Sequence, residues 1–166
     1  MALKYYIAKI NWRQILFHFV AMWLFFHSFK LLAYLLDTKY VDTIILDKSK
    51  MWESGANKVI YFLITPIIAG GIGLIVAFIL SVIISIKKHW FWINSLMAFL
   101  LIFSLLKLDF LGWNYLRFIF LMPGYIFNSW ILRLTINGLF LLVLGFYIFF
   151  SSRINHLISN FKRKSV

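Results

Sequence analysis

The sequence predicts an all-α, polytopic integral membrane protein with four transmembrane helices. Of its 166 residues, 63% are hydrophobic and only 13% are charged, whereas soluble domains have about 45–50% apolar and about 25% charged residues. The apolar residues are gathered into runs of about 20, the length that crosses a hydrocarbon core of about 30 Å. The basic residues flank these runs. Such a composition excludes a soluble enzyme, a disordered tail and a secreted disulfide scaffold.

The first span is predicted at residues 14–36, interrupted only by His18, His27 and Lys30. Basic residues precede it, as in a signal peptide. However, its apolar stretch is longer than the usual core of about 7–15 residues, and no small-residue cleavage site follows. We therefore expect a retained membrane anchor.

Three further spans are predicted at residues 59–86, 90–106 and 134–152. The first of these contains no charged residue, and Pro66 within it predicts a bend, because proline removes a helical hydrogen bond. The mixed-charge segment 37–58 between the first two spans is expected to be a solvated loop. With no internal repeat and no Gly/Ser linker, the chain is expected to form a single transmembrane domain.

Residues 110–122 allow two interpretations. The segment is apolar enough to enter lipid, but it contains Arg117 and is followed by Pro123-Gly124, a turn signal. A fifth span would bury Arg117 at a cost of about 2.5–3.5 kcal/mol. We therefore favour four spans, with an interfacial or re-entrant helix at 110–122.

Charge predicts the orientation of the four spans. Nine of the 17 Lys and Arg residues then share one side of the membrane with no acidic residue, while all five acidic residues lie on the other side. The nine are Lys4, Lys9, Arg13, Lys87, Lys88, Arg153, Lys162, Arg163 and Lys164. By the positive-inside rule, both termini are cytoplasmic. We expect a plasma membrane, specifically a bacterial inner membrane, and contact of the basic flanks with anionic lipid headgroups.

Small residues recur at every fourth position in the second span, and Ala69, Gly73 and Ala77 form their central part. Such spacing lets a neighbouring helix backbone approach closely. The seam is expected to pack against another helix. Either the chain's own bundle supplies that helix, which is the commoner situation, or a membrane-protein partner or a second copy does.

Polar residues within the spans form a second candidate site. His27 and Lys30 share a face of the first span, Arg133 and Asn137 share a face of the last, and Arg117 lies between the spans. Intramembrane polar residues are costly, so they are either paired or functional. In one interpretation they line a cavity for an anion or a lipid headgroup. In the other, which we favour, the basic residues extend to the interface while His27 and Asn137 bond between helices.

No catalytic, cofactor or metal motif is found. The chain has no cysteine, its acidic residues are not clustered, and its histidines do not pair across spans. Nucleic acid is not an expected partner, because the basic residues flank apolar helices and form no stripe.

We therefore expect no enzymatic activity and no cofactor. The leading hypothesis is a small membrane subunit or accessory protein that acts through helix–helix contacts. The alternative is a small transporter or channel component. A lipid-directed enzyme would require His27 to meet a carboxylate across helices.

Overall fold

The computed structural model describes residues 9–47, 50–53, 55–107 and 123–160, and within these ranges the chain is helical and contains no strand. Seven α-helices follow one another within these ranges. They are α1 (Trp12–Ala33), α2 (Thr38–Leu46), α3 (Lys50–Glu53), α4 (Ala56–Lys87), α5 (Ile93–Lys107), α6 (Trp130–Phe150) and α7 (Ser152–Ser159). Short 3-10 turns at Tyr34–Asp37 and Pro123–Ile126 precede α2 and α6.

Helix α1 lies at the centre of the bundle, and α4, α5 and α6 pack around it. Six consecutive residues, Ala21 to Phe26, are all buried. Because successive residues of an α-helix point about 100° apart, six in a row cover every direction around the axis. The middle of α1 is therefore surrounded by protein.

Helix α4 approaches α1 through small residues. Gly70, Gly73 and Ala77 are buried, and a Cβ atom at Gly73 would come within 2.8 Å of the Phe25 carbonyl oxygen and 2.7 Å of the Phe29 ring. The absence of a side chain at Gly73 therefore sets the distance between the two helices.

Helix α6 approaches α1 from a different direction by the same means. Gly138 and Gly145 are buried, and a Cβ at Gly145 would come within 2.7 Å of the Phe25 ring. At Gly138 the contact includes a hydrogen bond of 2.7 Å, which the Ser28 hydroxyl donates to the Gly138 carbonyl oxygen. Both α4 and α6 thus use a glycine to contact α1 at Phe25.

The connection from α4 to α5 is a Schellman turn. The Trp90 N–H donates to the Ser85 carbonyl oxygen (2.8 Å) and the His89 N–H to that of Ile86 (3.1 Å). This bonding pattern places one residue in the left-handed region, and His89 occupies it with φ of +55°. The turn reverses the chain and aligns α5 beside α4.

The segment 37–58 is partly helical, which corrects the expectation of a loop. The Asp37 carboxylate accepts a hydrogen bond from the Tyr40 N–H (3.1 Å) and so caps the start of α2. Asp42 on this helix accepts a hydrogen bond of 2.7 Å from the indole N–H of Trp130, the first residue of α6. The acidic residues of α2 therefore cap and connect helices.

The bundle has two ends, which are named here after the short helices that lie at them. We call the end formed by the start of α1, the α4–α5 turn and α7 the α7 end. The opposite end, formed by α2, α3 and the starts of α4 and α6, is the α2 end. Asn11 bonds to the Ile158 carbonyl oxygen at 2.9 Å, so the start of α1 and helix α7 lie at the same end.

Three candidate membrane-spanning helices are found by length and composition, at Trp12–Ile44, Ala56–Lys87 and Trp130–Phe150. They contain the predicted spans 14–36, 59–86 and, except for its last two residues, 134–152. The predicted span 90–106 corresponds to α5, whose apolar part is shorter than the other three. The predicted helix at 110–122 lies outside the described residues.

Substitution of two glycines of α4 tests the packing against α1. We expect Gly73→Ala to destabilise the bundle by about 1–3 kcal/mol, because the new methyl group meets the backbone of α1. Gly71→Ala is the matched control, since no atom lies within 4 Å of a Cβ at that position. Its effect is expected to be neutral, or stabilising by up to about 1 kcal/mol, because alanine favours a helix. Thermal unfolding in lipid nanodiscs measures both, and equal midpoints for the two variants would contradict this packing.

Candidate functional site

A cluster of buried polar side chains lies at the α7 end of the bundle. It joins the start of α1 to α4, α5 and α7. Its members are Asn11, Gln14, His18, Ser81, Ser85, Asn94 and Ser95, of which Asn11 is the most exposed, at 8%. We call this set the polar network. Polar groups buried in this way are costly unless they are hydrogen-bonded.

Carboxamide side chains form the first half of the polar network. The Asn11 N–H donates to Asn94 Oδ1 (3.3 Å), and Asn94 Nδ2 donates to Gln14 Oε1 (2.8 Å). Gln14 Nε2 then donates to Ser85 Oγ (2.8 Å). The side-chain amides of Asn94 and Gln14 each accept at the oxygen and donate at the nitrogen, so the chain of bonds runs in one direction from the start of α1 to α5, back to α1 and on to α4.

Hydroxyl groups form the second half. Ser85 Oγ donates to the Ser81 carbonyl oxygen (2.8 Å) and also lies 2.9 Å from Ser95 Oγ. A hydroxyl has one proton. When Ser85 gives its proton to the carbonyl, the contact with Ser95 uses the proton of Ser95. Ser85 is then fully used, with one bond donated and two accepted.

His18 completes the polar network on α1. Its Nδ1 atom contacts Ser81 Oγ at 2.5 Å and lies 3.3 Å from Ser95 Oγ. Because the Ser95 hydroxyl donates its proton to Ser85, Ser95 can only accept a hydrogen bond from His18. Such a bond requires the His18 tautomer that has its proton on Nδ1. The ring packs edge-on against Phe149, at a centroid distance of 5.5 Å. His18 therefore links α1 to both α4 and α5 while its ring fills space beside α6.

Asn11 caps two helices at once. Its Oδ1 accepts hydrogen bonds from the Arg13 and Gln14 N–H groups (3.1 and 3.2 Å), which caps the start of α1. Its Nδ2 donates to the Ile158 carbonyl oxygen in the last turn of α7 (2.9 Å). Arg13 Nη1 donates to the neighbouring Leu157 carbonyl oxygen (3.1 Å). The end of α7 is thus held against the start of α1.

The chemistry available at this site is hydrogen bonding between neutral groups. Histidine and serine side chains are in contact, but an activated serine also needs a group that orients the histidine and room for a substrate. The four acidic residues within the described ranges lie at the α2 end. Within those ranges no group of three or more metal-ligating side chains is found. The arrangement is suited to fixing helix positions.

The predicted small-residue seam lies on the side of α4 that faces α1. Gly73 and Ala77 are buried, and Ala69 is half-buried. Ser81 and Ser85 continue the same row toward the α7 end, where they enter the polar network. The row is therefore covered by a helix of its own chain.

The predicted intramembrane polar residues have separate surroundings. His27 is half-buried and its ring contacts those of Trp23 (4.6 Å) and Phe26 (5.4 Å). Lys30, one turn further along α1, is also half-buried. Arg117 lies outside the described residues.

Arg133 and Asn137 hold the 3-10 turn that precedes α6. Asn137 Oδ1 accepts a hydrogen bond from the Gly124 N–H (2.7 Å). Arg133 Nη2 donates to the Phe127 carbonyl oxygen (3.1 Å), and its guanidinium lies 5.5 Å from the centre of the Tyr125 ring. Gly124 has no space for a side chain, since a Cβ there would lie 2.5 Å from the Arg133 carbonyl oxygen.

Two cavities at the α2 end are lined by other residues. An open cleft of about 400 Å³ lies among charged side chains of α2, α3 and α4, and a cavity of about 10 Å³ lies beside Pro66. The residues of the cleft are Asp37, Lys39, Tyr40, Thr43, Lys50, Glu53 and Lys58. The described contacts of Arg133 and Asn137 are made with the turn at Pro123–Ile126, away from both cavities.

Sequence reasoning did not identify the polar network. Asn11, Gln14, Asn94 and Ser95 were not singled out, and Ser81 and Ser85 were interpreted only as small residues. A signal was present, because Gln14 and His18 are spaced by four residues, as are Ser81 and Ser85. Two such pairs on neighbouring helices place polar groups on facing stripes.

The chain matches no protein-family model, curated protein or solved structure.

Loss of one carboxamide tests the polar network. We expect Gln14→Met to destabilise the protein by about 1–3 kcal/mol, because it removes the buried hydrogen bond that Asn94 Nδ2 donates to Gln14 and one of the two that Ser85 accepts, while it conserves volume. Thr135→Val is the control, since the Thr135 hydroxyl bonds only to the Ile131 carbonyl oxygen within its own helix. Unfolding midpoints in nanodiscs measure the difference. A loss for Gln14→Met no larger than that of the control would show that the polar network does not hold the helices.

Proposed function

We propose that this protein is a small, non-enzymatic integral membrane subunit or accessory protein that acts through helix–helix contacts. Its partner is another membrane protein or a second copy of the chain. The observation that carries the proposal is that the interior contacts of the bundle are made within the chain. The middle of α1 is surrounded by the chain's own helices, and the residues of the polar network bond to one another. The outward faces of the surrounding helices are then the surface on which the protein acts.

We further propose four membrane crossings, with both termini on the cytoplasmic side of a bacterial inner membrane. Helix α4 ends at the α7 end, beside Asn94, while α6 begins at the α2 end, where Trp130 bonds Asp42. The chain must therefore traverse the bundle between them. Helix α5 has 15 residues, or about 22 Å at 1.5 Å per residue, which is most of a hydrocarbon core of about 30 Å.

The outward face of α4 is the proposed contact surface. The seam at Gly73 and Ala77 is covered by α1, so a partner meets the opposite side of the helix. That side exposes a row of branched aliphatic side chains, including Ile72 and Ile79. Gly71 opens a notch beside this row, since no atom lies within 4 Å of a Cβ at that position. Branched side chains beside a notch allow close helix packing in lipid.

The alternative proposal is a transporter or channel component that handles an anion or a lipid headgroup. It requires Lys30, Arg133 and Asn137 to line one polar path through the bundle. Arg133 and Asn137 instead bond to the turn before α6. Solute flux in proteoliposomes that is abolished by Lys30→Gln would favour this alternative over the first proposal.

Photo-crosslinking in native membranes tests the first proposal. A photoreactive amino acid replaces Ile72 or Ile79 on α4, and, as the control, Val143, which is equally apolar and exposed on α6. We expect one defined adduct from the α4 positions, either with a second copy or with one partner protein, and none from Val143. The proposal would be refuted if all three positions gave lipid adducts and no protein adduct, and the purified protein were a monomer.

A further inference from the structure

The charged residues of the described chain are separated between the two ends of the bundle. All the described acidic residues, Asp37, Asp42, Asp47 and Glu53, belong to α2, α3 and their flanks at the α2 end. The α7 end has basic residues only, among the parts of the chain that the structure describes. They are Lys9, Arg13, Lys87, Lys88 and Arg153. Within the described residues, this end of the bundle thus carries basic side chains and no acidic one.

Three of these residues are exposed where apolar helices end. Lys87 and Lys88 follow the apolar length of α4, and Arg153 lies in the first turn of α7, directly after α6. A charged side chain that ends an apolar helix lies at the level of the lipid headgroups. The three charges therefore lie at the depth of the phosphate groups of one leaflet.

Helix α7 packs on the end of the bundle and turns its polar side outward. Ile158 is buried against the bundle, while Arg153 and His156 are exposed. Asn11 and Arg13 hold the Ile158 and Leu157 carbonyl oxygens, so the position of α7 at this end is fixed by the bundle.

The polar network holds the same end rigid from beneath. It connects α1, α4 and α5 next to the turn that carries Lys88 and His89. The backbone from which Lys87 and Lys88 extend is thereby fixed, so only their side chains need ordering when an anion binds. The helix ends that carry these charges are therefore held in fixed relative positions.

We infer that the α7 end binds anionic phospholipid headgroups, with Lys87, Lys88 and Arg153 as the principal contacts. A lipid surface fits better than an acidic protein, because the charges lie at the edge of an apolar bundle, where phosphates are already present at high density. The inference concerns the end of the bundle and does not depend on the proposed contact surface of α4.

Tryptophan quenching by brominated lipids tests the inference on the full chain. Vesicles contain brominated phosphatidylglycerol or brominated phosphatidylcholine in competition with the unbrominated lipid, which gives a relative association constant. Each basic residue near an anionic surface contributes a factor of about five. We expect the unaltered chain to prefer phosphatidylglycerol at least about fivefold, and the preference to fall with added salt.

Two triple variants separate this surface from net charge. Lys87→Gln/Lys88→Gln/Arg153→Gln is expected to bring the preference close to one. Lys39→Gln/Lys50→Gln/Lys58→Gln removes the same charge from the α2 end and is expected to retain it. Equal thermal midpoints in phosphatidylcholine alone establish that both variants fold.

Three results would overturn the inference. The first is an unaltered chain without lipid preference, and the second is an equal loss in the two triple variants. The third is a variant of the α7 end that keeps its lipid preference but loses a co-purifying acidic protein, which would assign the surface to that protein. None of these results affects the photo-crosslinking from α4.

Discussion

The burial of the middle of α1 on every side is the constraint on which the rest of the bundle depends. In lipid, apolar helices gain no hydrophobic energy by associating, so close packing and hydrogen bonds must hold them together. A central helix makes this demand in all directions at once. Glycines of α4 and α6 and polar side chains of α4 and α5 make the closest contacts with it, and large apolar residues of all three helices, such as Leu74, Ile102 and Leu141, are buried in the same core.

The means of contact change along the length of α1. At the α7 end, carboxamides and hydroxyls join it to α4 and α5. In its middle, the glycines of α4 and α6 receive the aromatic side chains at Phe25 and Phe29. Ser28 adds a hydrogen bond to the backbone of α6. Close packing thus dominates where the membrane is most apolar, while the larger polar side chains lie near one end of the helix.

Much of the helical content was predictable from sequence, because hydropathy and length identify apolar helices directly. The Gly73 row was also recognised, since small residues at a four-residue spacing leave a distinct pattern. Its partner was not, because nothing in α4 itself indicates which helix covers it. Gly138 and Gly145 are spaced by seven residues with bulky side chains between them, so the seam of α6 was missed altogether.

The polar network was missed for a related reason. Gln14 is separated along the chain from Ser85 by 71 residues and from Asn94 by 80. Only the packing of three helices brings these side chains together. The segment 37–58 was misjudged in a different way. Its described charged side chains are mostly exposed, as expected, but its backbone is partly helical, because Asp37 caps α2 and Asp42 bonds Trp130.

The central position of α1 can be measured directly, because the chain has no cysteine of its own. Pairs of cysteines placed at Gln14 with Ser85, at Gln14 with Asn94 and at Phe25 with Phe146 report on α4, α5 and α6 in turn. A short bismaleimide is added to native membranes, and the mass of each product is determined. The structure predicts that all three pairs crosslink within a single chain at monomer mass. Crosslinks that form only between two copies, or a failure of one whole pair, would contradict the central placement of α1.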